Sequence, residues 1–209
     1  VLEFRRVRFP ELYNLSYLKP KPLVERRDRL EVIERVSANG SVRIKLDETS
    51  VVSAALKLKE RGVKAVAICL LHSYINPSHE KRVEEIIRDV MPADTFVCCS
   101  YDVLPEIREY ERTSTTVVNA YLGPVLSHYL GQLRKQLNDI KVLSPLYVMQ
   151  SGGGQMSDSA AMNLPAYFVE SGPAAGVVAA AAIAKRAGME QIITLDIGGT
   201  TAKTAIVEG

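Results

Sequence analysis

Residues 191–208, QIITLDIGGTTAKTAIVE, leave the backbone few choices. Ile192 to Leu195 is a β-branched and apolar run, Asp196 closes it, Gly198-Gly199 turns the chain, Thr200 and Thr201 follow, and apolar residues resume at Ala205. The stretch reads as strand, glycine turn, strand. Two adjacent glycines let backbone approach an anion and aim successive N–H groups at it. Threonine hydroxyls add donors, and an aspartate at a strand end can hold Mg²⁺ through water. A lone Gly-Gly serves turn geometry alone. Asp196 before it and Thr200-Thr201 after it shift the reading to a phosphate-handling hairpin.

The rest of the chain alternates helix and strand. Leu30 to Val36, Asn39-Gly40 and Val42 to Leu46 predict a tight hairpin. Ser50 to Arg61 has helical spacing at Val52, Leu56 and Leu58 with Gly62 as the stop, and Val63 to Leu71 suits a strand covered on both faces. Asn76 predicts the cap of a helix with Pro77 in its first turn and Val83, Ile86, Ile87 and Val90 on one face. Thr95 to Cys99 is a short buried strand. Glu106 to Leu137 is a long helix that Gly123-Pro124 should bend or interrupt. Leu146 to Met149 reads as a strand, Ser151 to Gly154 as a loop, Tyr167 to Val169 as a short strand, and Pro173 to Arg186 as a small-residue helix stopped by Gly188. Consecutive βα units imply an α/β fold with a mainly parallel sheet. Val1 to Pro22, without a sustained period, reads as an arm.

A chain of 209 residues has room for one substantial core or two small lobes. With 26 basic and 24 acidic residues the net charge is +2, so no bulk field recruits nucleic acid. A basic cluster at Arg5, Arg6, Arg8 and Lys19 to Arg29 is interrupted by acids and reads as a solvated face. Cys69, Cys98 and Cys99 lie in apolar runs with neither metal-ligand spacing nor a disulfide framework, which predicts buried thiols in a reducing cytoplasm. There is no signal-peptide pattern and no apolar run of the ~18 residues a span requires, so no membrane contact is expected.

Ser151-Gly152-Gly153-Gly154 follows a strand and invites a dinucleotide fingerprint. The last glycine position falls on Ser157, and the only acid near the required spacing is Glu170, so that reading is weak. An anion-contacting loop and a plain turn both stay open for it. Glu170-Ser171-Gly172-Pro173 opens a helix whose N-terminus offers N–H groups to an anion, while its alanines and glycines favour close packing. His72 and His79, in HSYINPSHE beside Glu80, sit at a strand end and in a first helical turn, with no third ligand apparent. Local capping is favoured over a metal. The charge run Glu106, Arg108, Glu109, Glu111 and Arg112 suits a helix start, where acids meet the dipole, and its paired carboxylates leave acid–base work open as well.

Taken together, HSYINPSHE, YDVLPEIREYERTSTTVVNAYL, VMQSGGGQMS, ESGPAAGVV and LDIGGTTAK resemble the hydantoinase/oxoprolinase family, in order from about Leu12 to the C-terminus. The resemblance implies an RNase H-like lobe of the actin, sugar-kinase and Hsp70 ATPase superfamily, incomplete here. Residues 1–46 would form an arm and hairpin, 47–190 an α/β lobe with a long helix, and 191–209 the opening phosphate hairpin of a second lobe. It implies Mg²⁺ contact through water for Asp196 and phosphate contact for Gly198, Gly199, Thr200 and Thr201. Lys203 stands where many members have Asp, and is carried as a further nucleotide contact. Ser151, Gly152, Gly153, Glu170, Ser171 and Gly172 are secondary candidates.

The implied activity is an ATP-dependent cyclic amidase, opening a hydantoin or 5-oxoproline ring through a phosphorylated carbonyl, with ATP and Mg²⁺ as cofactors. A second subunit or C-terminal domain is the implied partner. An ATP-dependent carboxylase subunit and a non-catalytic reactivase-type ATPase are the alternatives. The resemblance also implies an internal fragment, because members carry a first DxGGT hairpin and an adenosine-binding lobe. No catalytic residue follows from it.

Overall fold

The computed structural model describes residues 1–3, 13–18 and 20–208. Arg5, Arg6, Arg8 and Lys19 of the basic cluster lie outside the described residues. Contacts divide the chain into two compact units, residues 1–125 and 126–209.

In the first unit, β1 (Arg35–Val36) and β2 (Val42–Ile44) form the expected antiparallel hairpin. Gly40 takes φ +84 in its turn, a conformation a side chain would strain. α1 (Glu48–Glu60) starts at Asp47, whose carboxylate accepts the Thr49 N–H at 3.0 Å. β3 (Ala65–Ile68), α2 (Ser78–Val90) and β4 (Phe96–Cys99) make one βαβ unit, with β3 and β4 parallel and Ala65 opposite Phe96. Asn76 accepts the Ser78 N–H at 3.1 Å, and Pro77, expected inside the helix, stands just before it.

One core serves these elements: Val51 and Ala55 of α1, Val66 and Ile68 of β3, Val83, Ile86 and Ile87 of α2, then Met91, Val97 and Cys99. Each fully buried aliphatic side chain contributes about 1.5–3 kcal/mol, as an upper estimate. The apolar face of α1 is not the one expected. Val51, Ala55 and Leu58 face the core, while Val52 and Leu56 are exposed. The adjacent valines fit either helical phase, and only the partner surface chooses.

After α3 (Ser100–Val103), α4 (Glu109–Asp139) runs through Pro124 without the interruption that was one of the two outcomes expected there, the other being a bend. Gly123 has a packing role instead. A Cβ there would lie 2.4 Å from the Phe96 ring, so the glycine lets α4 approach β4. The division between the two units falls within this helix.

In the second unit, β5 (Tyr147–Met149) and β6 (Gln155–Ser157) form a hairpin across the Ser151–Gly154 turn, followed by α5 (Asp158–Asn163), which Ser157 caps. The strand expected at Tyr167 to Val169 is a 3-10 turn, Pro165–Phe168. Pro165 at its start supplies a helical φ and no N–H, which suits a turn and not a strand. α6 (Ser171–Arg186) ends at Gly188, with Gly188 N–H to Lys185 O and Met189 N–H to Ala184 O, the paired bonds of a Schellman ending. β7 (Gln191–Ile197) and β8 (Ala202–Glu208) complete the unit as an antiparallel hairpin in continuous register. The expectation of a mainly parallel sheet is therefore corrected. Of the four strand pairs among the described residues, three are antiparallel. Of these pairs, only β3–β4 has a helix between its two strands, long enough for a crossover.

Candidate functional site

The β7–β8 register places Asp196 opposite Lys203 and leaves Gly198, Gly199, Thr200 and Thr201 as the connecting loop. A single backbone bond closes it, Gly198 N–H to Thr201 O at 3.0 Å. Asp196 and all four loop residues are exposed. Neither glycine has a positive φ, which the tight two-residue hairpin turns require. A Cβ on Gly199 would meet nothing within 4 Å, and one on Gly198 only the Thr201 carbonyl at 3.9 Å. Nothing in the backbone conformation or the packing therefore asks for glycine at either position. What the pair does provide is bare backbone beside a carboxylate and two hydroxyls.

Alternation along the hairpin decides which face is covered. Ile192, Thr194, Lys203, Ala205 and Val207 are half-buried on the face that contacts α6, while Ile193, Leu195, Ile197 and Ile206 are exposed on the other. Lys203 reaches from the covered face to an ion pair with Glu170. Glu170 is the residue before α6, held left-handed at φ 61, and its side chain does not cap the helix. The first-turn N–H groups at Ser171 and Gly172 thus have no side-chain cap from it.

The glycine loop after β5 belongs to the same neighbourhood. Ser151 donates both its N–H and its hydroxyl to the Tyr167 carbonyl, each at 2.8 Å. Gly153, at φ +83, lies where a Cβ would be 3.2 Å from Val178 of α6. Two of the sequence-derived groups therefore meet directly, through Lys203 and Glu170, and the Ser151 loop is tied to the segment leading into α6. Gly152 is exposed and makes no comparable contact. This arrangement can hold an oxyanion: Gly199 and Thr200 N–H groups, two threonine hydroxyls and a lysine as donors, with one carboxylate to orient the waters of Mg²⁺, which keeps much of its hydration shell. The residues fit a Mg–phosphate ligand.

In the first unit the conspicuous polar cluster surrounds Glu80, which is 0% exposed. It accepts the Leu70 N–H at 2.7 Å, the Ser100 hydroxyl at 2.7 Å and the Tyr101 N–H at 3.0 Å. Burial pushes its carboxyl above the ordinary range, and those three bonds pull it back. Arg112, also buried, donates to Ser100 Oγ at 3.2 Å and to the Leu70 and Glu106 carbonyls at 2.9 Å. This network joins α2, the end of β4 and the start of α4. The charge run at the start of α4 conceals Arg112 in the sequence, since nothing local reveals its distant partners.

His79 Nδ1 meets Glu34 at 2.8 Å, and His72 takes φ 61 in the loop after β3. Burial pushes the Cys98 thiol up to about 12 and raises Cys69 and Cys99 as well, which leaves them poor nucleophiles. No helix among the described residues is long and apolar enough to cross a membrane.

A sequence model of the family described as hydantoinase/oxoprolinase matches residues 112–209, and one for the same family's N-terminal region matches residues 1–91. An uncharacterized protein of Methanocaldococcus jannaschii is 45% identical over 207 residues, covering 99% of this chain and 30% of its own length. Caprolactamase subunit alpha of Pseudomonas jessenii is 36% identical over 94% of this chain and 28% of its own. The crystal structure of the ATP-dependent caprolactamase from that organism superposes with a TM-score of 0.80 at 34% identity, covering all of this chain and 30% of that one. A nucleotide-free acetone carboxylase, from a study of ATP-dependent acetone carboxylation, reaches a TM-score of 0.82 at 30% identity over 92% of this chain and 27% of that one. The chain thus spans under a third of the length of these relatives.

Proposed function

The chain belongs to the hydantoinase/oxoprolinase family, and from that premise we propose that it supplies a phosphate-holding hairpin to an ATP-dependent hydrolase opening a cyclic amide. The lobe built on it would be of the RNase H-like type. One observation carries the reading: Gly198 and Gly199 have neither a conformational nor a packing need, yet stand bare between Asp196 and Thr200-Thr201. Backbone without side chains there leaves room for phosphate oxygens.

In this reading Asp196 holds the waters of Mg²⁺, Gly199 and Thr200 donate backbone N–H groups, and Thr200 and Thr201 add hydroxyls. Lys203, tethered by Glu170, sets a positive charge beside the loop without needing to be mobile. The chemistry ATP supplies is a phosphoryl group for the amide oxygen, which makes the ring carbonyl a better electrophile for water. The residues of this chain contribute charge neutralisation and alignment. A lactam, as in the name of the caprolactamase relative, or a related cyclic amide is the substrate class.

The likeness to acetone carboxylase favours a second reading, a carboxylase subunit that uses ATP on a ketone. Turnover in a protein of the relatives' length separates the two. ATP hydrolysis coupled to loss of caprolactam, 5-oxoproline or hydantoin supports the amidase. Hydrolysis that requires a ketone and bicarbonate supports the carboxylase. Hydrolysis that consumes neither points to a reactivase-type ATPase and overturns both.

A further inference from the structure

We propose that the cleft between the β1–β2 hairpin and the loop after β3 binds the oxyanion group, phosphate or carboxylate, of a small molecule. The cleft has a volume of about 570 Å³, within the range of about 300–1,000 Å³ of small-ligand sites. Val36 and Leu71 give it apolar surface, and Arg35, Arg43, His72 and Ser37 give it polar groups. No carboxylate lines it.

The chain goes to some length to build this concavity. The β1–β2 register slips between Arg35, opposite Ile44, and Val36, opposite Val42, so that Arg43 is the extra residue of a bulge. A bulge re-aims a side chain that regular pleating would place elsewhere. The opposite wall is the turn at His72, a non-glycine residue at φ 61 whose carbonyl accepts from the Ile75 and Asn76 N–H groups at 3.1 and 3.2 Å. The two walls are locked together. Asn76 Nδ2 donates to the Gly40 carbonyl at 2.8 Å, and a Cβ on Gly40 would lie 2.8 Å from Ile75 Cγ2.

Charge gives the class of ligand. Among the described residues neither the Arg35 nor the Arg43 side chain has a hydrogen bond or ion pair, and Glu34, the acid next to Arg35, is engaged by His79. Two guanidinium groups on one small concavity repel each other, and an oxyanion bridging them replaces that repulsion with charge-assisted hydrogen bonds. Ser37 adds a hydroxyl donor. Nothing in this proposal depends on the β7–β8 hairpin or on the family's reaction.

The test is an NMR titration of the isotopically labelled 209-residue chain with inorganic phosphate and, separately, with acetate at constant ionic strength. Saturable amide shifts confined to residues 35–43 and 71–73 are expected. Arg35→Gln with Arg43→Gln should weaken saturation by about tenfold or more, as loss of charge-assisted bonds implies. Both side chains are exposed, so the variant should melt like the parent. Lys45→Gln, exposed on the same hairpin but outside the cleft, should bind like the parent. Tighter binding of phosphate identifies a phosphate ester as the ligand class, and tighter binding of acetate a carboxylate. Shifts that never saturate, or equal weakening by Lys45→Gln, overturn the proposal.

Discussion

Glu80 shows how much a single buried carboxylate can organise. Removing it by Glu80→Ala orphans the Leu70 and Tyr101 N–H groups and the Ser100 hydroxyl, so urea unfolding should report a loss of about 1–3 kcal/mol. An unchanged midpoint would mean that water replaces the carboxylate and that the network contributes little. Asp158 is the opposite electrostatic case. Its bond to Arg134, 2.6 Å from Nε, holds the carboxyl below its ordinary 3.8. A depressed folded pKa adds stability that is present above the unfolded value and lost as pH falls through the folded one. Asp158→Asn should therefore flatten the acid limb of the stability profile below about pH 4 and leave the neutral region's pH slope unchanged. Asp196 differs from both, being exposed. Asp196→Ala should change stability by no more than about 0.5 kcal/mol, while in a protein of the relatives' length it removes Mg-ATP binding. Retained ATP hydrolysis in that variant would make the hairpin a packing element only. The sequence exposed Asp196 through its local pattern and hid Arg112 within one. The loop proposed to hold phosphate is contiguous, whereas the partners of a buried guanidinium are scattered from Leu70 to Glu106.

At the scale of elements, legibility follows how many neighbours share in the decision. The β7–β8 hairpin is expected and found, because strand, turn and strand are adjacent and its register runs from Gln191–Glu208 to Ile197–Ala202. The α2 face is likewise as read, since Val83, Ile86 and Ile87 allow one helical phase. For α1 two phases fit the apolar residues. Tyr167 to Val169 looks extended until Pro165 is given its weight. The same hairpin also carries a consequence that its pattern does not announce. Ile193, Leu195, Ile197 and Ile206 are 63–76% exposed on one face. A two-stranded sheet is at best marginal alone, and an apolar patch of this kind attracts hydrophobic dyes. The 209-residue chain should bind anilinonaphthalene sulfonate when folded. Ile193→Thr with Ile206→Thr should lower that fluorescence by about half, since two of the four exposed aliphatics are gone while β propensity is kept. Fluorescence that stays constant in the variant would place the dye elsewhere.

For the molecule as a whole, the two units differ in how completely they account for themselves. The first buries a continuous core and satisfies its polar network internally, whereas the second ends on a hairpin with bare loop donors and an uncovered apolar face. α/β character was readable from the alternation of apolar runs and helices. The balance of parallel and antiparallel pairs was not, because pairing between short strands depends on connection length more than on composition. A ligand held by a few loop donors and one carboxylate has most of its surface in water, while typical small-molecule sites bury 70–90% of it. Calorimetric titration of Mg-ATP into this chain and into a protein of the relatives' length, side by side, tests what the hairpin contributes. The longer protein should bind at least about 100-fold more tightly, a difference of about 2.7 kcal/mol. Equal affinity would mean that residues 1–209 hold the whole site. Binding by neither would remove the phosphate role from Asp196 to Thr201, and the bare glycines would then need another explanation.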